Sequence, residues 1–188
     1  MASLTHIPSL LLLGEAGPAG VYLLRLHLLR PVALSLGKLQ QGRIFHFAPG
    51  PYLYGGSALG QRGAASLGRR LLRHATRCSG PAHPLQRRLR RAFPAIPPPA
   101  TKRLHWHVDY LLEQPAALLT GALVLRTARP LESAVASWLI HRPYVHIPAS
   151  GAGASDTPDR AHDLAVGPFA GWWAHLCRAA IYGFVEER

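Results

Sequence analysis

The sequence predicts an α+β fold, with a small antiparallel or mixed central sheet flanked by helices. From Gly20 to Leu29 the side chains alternate with a period of two, which is typical of a strand. Short apolar runs separated by glycine and proline follow, and from Ala64 the period changes to that of an amphipathic helix. Strands first, with helices and strands mixed afterwards, favour the α+β class.

The first part of the chain is predicted to be an antiparallel meander. Tyr22 and Leu24 share one face of the first strand, while Arg25 and His27 lie on the other. Pro31 ends this strand. The runs VALSLGKL, RIFHF and YLYGG then follow as further short strands joined by turns.

The next segment is predicted to be a basic helix from Ala64 to Thr76, with its leucines on one side and most of its arginines off that side. After it, a basic and proline-rich insertion covers about 78–101. Because PAIPPPA cannot continue a helix, we expect this insertion to be a mobile surface loop.

The second half adds HWHVDYLL, a strand at GALVLRT and a helix at LESAVASWLI, which follows Pro130 and ends before Pro143. SGAGASDTPD is predicted to be a loop, and LCRAAIYGFV a closing strand. These elements predict one domain over 20–188, preceded by an N-terminal extension at 1–19.

Composition favours a polyanionic partner. The 188 residues carry a formal net charge of +12. No acidic residue lies between Glu15 and Asp109, so the positive charge is concentrated. The alternative is an arginine-rich surface that is simply solvated. Two cysteines without CxxC spacing, Cys78 and Cys177, exclude a disulfide framework and a zinc knuckle and favour a cytoplasmic protein.

A set of side chains suited to phosphodiester hydrolysis follows the predicted elements. Such a reaction needs an oriented water, a proton acceptor and positive charge near the phosphate oxygens. Tyr22 and Tyr54 lie on two strands beside glycines, which let a ligand approach closely. Arg70 and His74 are four residues apart and project from the same side of the basic helix.

These residues resemble the motifs of the GIY-YIG nuclease superfamily. Gly20-Val21-Tyr22 resembles the GIY element, Tyr54-Gly55-Gly56 the YIG element, and the run from Arg70 to His74 the arginine helix that follows them. PGPYLYGGSALG, RRLLRH and HWHVDYLL are similar to an uncharacterised branch that is sometimes fused to endonuclease III. The resemblance implies a metal-dependent endonuclease acting on structured or damaged DNA.

The resemblance also implies roles. Tyr22 or Tyr54 would help to activate water, Arg70 would steady the phosphate, and His74 would transfer a proton or position the substrate. Glu132, in the first turn of a helix, would bind one Mg²⁺ or Mn²⁺ ion, which suits a single carboxylate completed by water and phosphate oxygens. The competing interpretations are that the tyrosines only pack, and that Glu132 only favours the positive end of its helix.

Asp109 is the alternative metal ligand. On an alternating strand, His105, His107 and Asp109 would share one face, but this run is not a recognised zinc site by itself. We expect His107 and Asp109 to line the cleft or to tie the loop to the sheet.

Further cleft candidates follow from position and from the narrower family. Gly56 and Ser57 belong to the YIG-like segment. Asp156 and His162 have a spacing similar to a late family motif, although Thr157 and Asp159 stand where its cysteines usually occur. His175 is a competing match for the late histidine, and the choice between it and His162 stays open.

The predicted nucleic-acid contacts are the basic residues Lys38, Arg69, Arg73, Arg77, Arg87 and Arg88, with Arg90 and Arg91 continuing the tract. Such a tract neutralises phosphates without reading bases. We expect DNA as the partner, with no membrane and no obligate protein partner. The alternatives are a non-catalytic nucleic-acid-binding module on the same scaffold and a basic protein-interaction or ribosome-associated domain.

Overall fold

A computed structural model describes residues 8–142, 145–149, 165–166 and 171–186. The fold is α+β, as predicted. Five strands form one mixed sheet in the order β1-β6-β2-β5-β7, and β3 and β4 form a second, two-stranded sheet. The strands are β1 (Leu10–Leu13), β2 (Gly20–Leu28), β3 (Val32–Ser35), β4 (Ile44–Phe47), β5 (Gly50–Ala58), β6 (Ala117–Arg126) and β7 (Ala165–Val166).

The strands predicted between Gly20 and Thr127 are present, but the predicted meander is wrong. β2 pairs antiparallel with β5 along one edge and with β6 along the other. Because both edges of β2 are occupied, β3 cannot pair with it and instead forms a separate hairpin with β4. β1 lies in the segment predicted as an N-terminal extension and pairs parallel with β6 at the edge of the sheet.

Five helices are assigned in the described part of the chain: α1 (Leu67–Ala75), α2 (Gln86–Ala92), α3 (His107–Leu112), α4 (Glu132–Ile140) and α5 (Trp172–Glu186). α1 and α4 confirm the predicted helices. The closing strand predicted at LCRAAIYGFV is wrong, since this segment belongs to α5. Trp172, Trp173, Leu176 and Cys177 are buried at helical spacing, whereas a short apolar run alone does not separate strand from helix.

The two faces of the sheet carry separate apolar clusters. Tyr22, Leu24 and Leu26 of β2 belong to the larger cluster, with the buried side of α1. Leu23 belongs to the smaller cluster, which includes Trp173 of α5 and Leu139 of α4. No helix in the ranges described combines the length and the apolar character that a membrane span requires.

The basic insertion is anchored to the larger cluster, which corrects the prediction of a surface loop. α2 lies inside it, and Leu85 and Leu89 are buried. Phe93 and Ile96 pack on α1 at Gly68, where an added Cβ would lie 2.5 Å from Ile96 Cδ1. The glycine thus lets the segment after α2 pack closely on α1.

Candidate functional site

The two predicted tyrosines lie on one face of the sheet. Tyr22 of β2 pairs with Gly56 of β5, and Leu24 pairs with Tyr54. Since side chains two residues apart share a face, Tyr22 and Tyr54 are diagonal neighbours across the two strands. The backbone register therefore brings together residues that are far apart in the sequence.

Gly56 makes room for the phenol of Tyr22. A Cβ built on Gly56 would lie 2.7 Å from Tyr22 Oη, which is closer than carbon and oxygen can pack. A larger residue here would displace the phenol. The predicted cleft candidate Gly56 is thus a residue that shapes the site.

His74 connects the tyrosines to α1. Tyr22 Oη lies 3.1 Å from His74 Nε2, and the Tyr54 ring meets the imidazole edge to face with centroids 5.9 Å apart. His74 Nδ1 lies 3.3 Å from Asp109 Oδ1. With Asp109 ionised, Nδ1 carries the proton and donates to it, which leaves Nε2 to accept a hydrogen bond from the Tyr22 hydroxyl.

Asp109 is held by five donor groups. Arg73 Nη1 lies 2.7 Å from its Oδ2, and Lys102 Nζ lies 3.6 Å from its Oδ1. The backbone N–H groups of His105 and Trp106 donate to Oδ2 at 3.0 and 2.9 Å. These contacts, with that of His74, tie α3 to α1.

His105, His107 and Asp109 do not alternate on a strand, because α3 begins at His107 and Asp109 lies in its first turn. Both oxygens of the buried Asp109 carboxylate accept internal hydrogen bonds. Asp109 thus orients His74, and its role as the alternative metal ligand stays a prediction.

Burial governs the proton affinities of the site. Burial alone would raise the pKa of Asp109, but the hydrogen bond from His74 and the charge of Lys102 hold it well below its usual range. Burial lowers the pKa of His74 by more than Asp109 raises it. Burial also raises the pKa of Tyr22, against the opposing charge of Arg70, and that of Tyr54. The resting site therefore holds neutral phenols, a neutral imidazole and a carboxylate.

Arg70 lies at the rim, where its guanidinium carbon is 4.3 Å from the centroid of the Trp106 ring. It is half-buried, and its charge lowers the pKa of Tyr22, which indicates that the guanidinium lies near that phenol. The stacking holds a cation beside the phenol without using all of its hydrogen-bond donors.

Glu132 approaches from the start of α4. Its Oε2 accepts a hydrogen bond from Ser57 Oγ on β5, and its charge raises the pKa of both Tyr22 and Tyr54. Both Ser57 and Glu132 are half-buried. Within the ranges described, no group of three or more His, Cys, Asp or Glu side chains could hold a metal ion. The single carboxylate of Glu132 suits a hard cation completed by phosphate and water, while Ser57, on the opposite face of β5 from Tyr54, holds the carboxylate in place.

The centre of the site is more enclosed than the sequence indicates. Tyr22, Tyr54 and His74 are 2%, 9% and 0% exposed. Arg70 and Glu132, both half-buried, are the parts of the site that solvent reaches. A cleft of about 380 Å³ adjoins the start of α4 and includes Leu131, the residue before Glu132.

The predicted nucleic-acid residues fall into three groups. Arg69, Arg87 and Arg88 are exposed on α1 and α2. Arg73 and Arg77 are half-buried, and Arg77 donates to the carbonyls of Gln114 and Ala117 as Arg73 does to Asp109, so both tie the fold together. Lys38 is exposed between β3 and β4.

The remaining cleft candidates are His107, the pair Asp156 and His162, and His175. His107 is half-buried at the first residue of α3. Asp156 and His162 lie outside the described residues, so the late motif stays a prediction. His175 is exposed on α5, which packs on the opposite face of the sheet from Tyr22.

Sequence reasoning missed Lys102 and Trp106. Lys102 is buried and its Nζ lies 2.9 Å from Glu113 Oε1 and 2.9 Å from the Thr76 carbonyl. Neither contact follows from local spacing, because the partners are on different elements. The available signal was Asp109, since an acidic residue in the first turn of a helix often accepts hydrogen bonds from the N–H groups before it.

Fold and site define an α+β domain in which a tyrosine of the central sheet, a histidine of α1 and an aspartate of α3 form a hydrogen-bonded chain. Residues 21–169 match the family described as "Domain of unknown function DUF123", and the chain belongs to that family. No curated protein and no solved structure matches the chain.

Proposed function

We propose that the protein is a metal-dependent endonuclease of the GIY-YIG type that acts on DNA. The observation that carries the proposal is the chain from Tyr22 through His74 to Asp109, with Arg70 beside the phenol. A buried packing tyrosine is satisfied by a backbone carbonyl, as Tyr52 is by that of Ala48, whereas a tyrosine that moves a proton needs a titratable partner. Tyr22, Arg70 and His74 also follow one another in the order of the superfamily motifs that the sequence resembles.

The arrangement gives each group a separate task. Neutral His74 accepts at Nε2 the proton of Tyr22, and Asp109 stabilises the imidazolium that forms. The Tyr22 oxygen can then take a proton from a water that attacks the phosphorus atom. Arg70, held on Trp106, neutralises charge that develops on the phosphate oxygens.

Glu132 would hold a Mg²⁺ or Mn²⁺ ion at the rim. When bound, the ion would supply charge that stabilises the phosphate oxygens and the leaving oxygen. Because Ser57 donates to Glu132 across the gap between β5 and α4, it fixes the direction of the carboxylate. This positioning is what the chain's own residues contribute.

The test is cleavage of structured DNA with Mg²⁺ or Mn²⁺ by the wild type and by Tyr22→Phe, Arg70→Ala and Glu132→Ala. We expect each variant to lose about 100-fold or more in the single-turnover rate. Tyr52→Phe is the matched control, because Tyr52 is also a buried strand tyrosine, but its hydroxyl donates to the Ala48 carbonyl outside the site. Equal rates in all these proteins would reject the assignment.

The enclosure of Tyr22 and His74 favours a second candidate, a nucleic-acid-binding module that does not cleave. At 2% and 0% exposure, these side chains meet a phosphate only if the rim opens. A module of this kind would bind DNA with steep salt dependence and leave it intact with either metal ion. Binding without cleavage in the same assay would select this candidate.

A further inference from the structure

A groove lined by arginine and proline lies along α2 and the segment after it. It encloses about 520 Å³ and is lined by Arg87, Arg90, Arg91, Pro94, Ile96, Pro97 and Pro98. The three arginines occupy helix positions i, i+3 and i+4, so they project from one side of α2. All three are exposed, while Leu89 on another side is buried.

The groove carries positive charge without a nearby carboxylate in its own segment. No acidic residue lies between Glu15 and Asp109, so neither α2 nor the proline-rich segment supplies one. Like charges at i, i+3 and i+4 destabilise a helix unless an anion offsets them. Guanidinium groups pair with phosphate oxygens in a bidentate geometry, which makes a phosphate backbone the fitting ligand.

The groove and the tyrosine site flank the same helix. Ile96, which lines the groove, packs on Gly68 of α1. Arg70 follows two residues later, about 200° around the helix, and points to the tyrosine site. The two sites are therefore separated by about one helix diameter, roughly 10–12 Å. Arg69, exposed on α1 between these directions, continues the positive charge from one to the other.

We propose that this groove is a second phosphate-binding site, which holds the backbone of a nucleic acid outside the segment that enters the tyrosine site. At 3.4 Å per base step, one helix diameter corresponds to about three base pairs. The protein thus binds substrates whose backbone extends at least about three base pairs beyond the scissile phosphate. This substrate requirement rests on the proposed nuclease function, whereas the phosphate binding itself does not.

The test measures binding in EDTA by fluorescence anisotropy, with a DNA hairpin whose stem has about 2 base pairs, shorter than the distance between the two sites, and a duplex of about 20 base pairs. Each phosphate contact contributes about 0.9 to the slope of log affinity against log salt. We expect Arg87→Gln/Arg90→Gln/Arg91→Gln to reduce that slope by about 2–3 on the long duplex and by less than about 1 on the hairpin.

Arg90→Gln and Arg88→Gln form a matched pair, because each removes one exposed arginine from α2 and only Arg90 lines the groove. We expect Arg90→Gln to weaken binding of the long duplex several-fold more than Arg88→Gln does. Equal losses in the pair, or an unchanged slope in the triple variant, would overturn the proposal. The proposal would also be overturned if poly-glutamate, at equal charge concentration, displaced the long duplex. That result would favour an acidic protein partner.

The two proposals fail in different ways. If Arg90→Gln binds the long duplex more weakly than Arg88→Gln does, and no DNA is cleaved with Mg²⁺ or Mn²⁺, the groove proposal is supported and the nuclease assignment is rejected. If DNA is cleaved and the matched pair behaves alike, the nuclease assignment stands and the groove proposal is rejected.

Discussion

The two regions that flank α1 hold their nitrogen bases and cations in opposite settings, one buried and one exposed. Towards the sheet, His74 is buried between Tyr22 and Asp109 and accepts and donates hydrogen bonds of defined length. Towards α2, the arginines of the groove are exposed. Interactions on the buried side are little screened by salt and depend on geometry, whereas those on the exposed side are weak, additive and screened.

This difference predicts that residues on the buried side of α1 determine the cleavage rate, whereas the arginines on the exposed side determine the affinity for DNA. Substitutions on the buried side should change stability or the rate of cleavage by large factors that salt does not alter. Substitutions in the groove should change the affinity and its salt dependence and leave the rate at saturation unchanged. If a substitution on the buried side changed only the affinity and its salt dependence, as a groove substitution should, the two regions would not have separate roles.

Asp109→Ala should have the largest effect. It leaves Lys102 and His74 without their buried carboxylate and removes the acceptor of two backbone N–H groups. Breaking a buried charged pair costs about 3–5 kcal/mol. We expect the free energy of unfolding, measured in urea, to fall by that amount and to be insensitive to moderate salt.

Glu113→Ala is the matched control. Glu113 also pairs with Lys102, but its side chain is 14% exposed and its other oxygen accepts a hydrogen bond from the backbone N–H of Cys78. We expect a clearly smaller loss of stability. If the two variants lose the same stability, Asp109 is an ordinary ion-pair partner and not the centre of the network.

Gly56→Ala should have the next largest effect, and on cleavage in particular. The added Cβ would lie 2.7 Å from Tyr22 Oη and push the phenol away from His74. A displacement of about 1 Å can lower a rate by about 100-fold, and the overpacking costs about 1–3 kcal/mol of stability. Single-turnover cleavage at saturating protein measures the first effect and urea unfolding the second.

Gly55→Ala provides the comparison on the same strand. Its Cβ would meet Leu23 Cδ2 at 3.6 Å, an ordinary contact on the opposite face. We expect a rate close to that of the wild type. Similar rates for Gly55→Ala and Gly56→Ala would show that the position of the Tyr22 phenol does not matter for cleavage.

Mild acid should lower the free energy of unfolding through the buried histidines, without a change in the charge of the arginines. Burial lowers the pKa of His74 and lowers that of His83 from 6.5 to about 3. Below pH 6.5 the unfolded chain therefore binds protons that the folded chain does not, and the free energy of unfolding falls as the pH falls. One pH unit below this value, the His83 imidazole accounts for a loss of about 1.4 kcal/mol, and His74 adds to it in the same direction.

Urea unfolding at about pH 7.5 and about pH 5.5 measures this loss. His83→Gln should show a smaller difference between the two conditions, because one of the two titrating imidazoles is gone. Asp109, whose pKa is lowered in the fold, adds a further loss only below its ordinary value of 3.8, outside this range. If His83→Gln loses as much free energy of unfolding between the two pH values as the wild type does, His83 does not contribute to the loss.

Local pattern predicted the parts of the site that lie within single elements. The alternation around Tyr22 and the spacing of Arg70 and His74 place them correctly, because each depends on one strand or one helix. Asp109 was misplaced on a strand, since its partners Arg73 and His74 are on another helix and its run is too short to show a period. The burial of Leu85 and Leu89 likewise depends on tertiary packing that the surrounding arginines and prolines conceal.

Trp106→Leu should have the smallest effect, because it removes a half-exposed stacking contact at the rim, between the buried network and the exposed groove. It keeps an apolar side chain but removes the ring that lies 4.3 Å from the Arg70 guanidinium carbon. A half-exposed pair of this kind contributes about 0.5–1 kcal/mol, which corresponds to about a 2–5-fold rise in the KM for cleavage. Trp138→Leu removes the equivalent pair with Arg142, at 4.0 Å, and should leave the KM unchanged. If both substitutions raise the KM equally, the stacking of Arg70 on Trp106 does not position Arg70 for the phosphate.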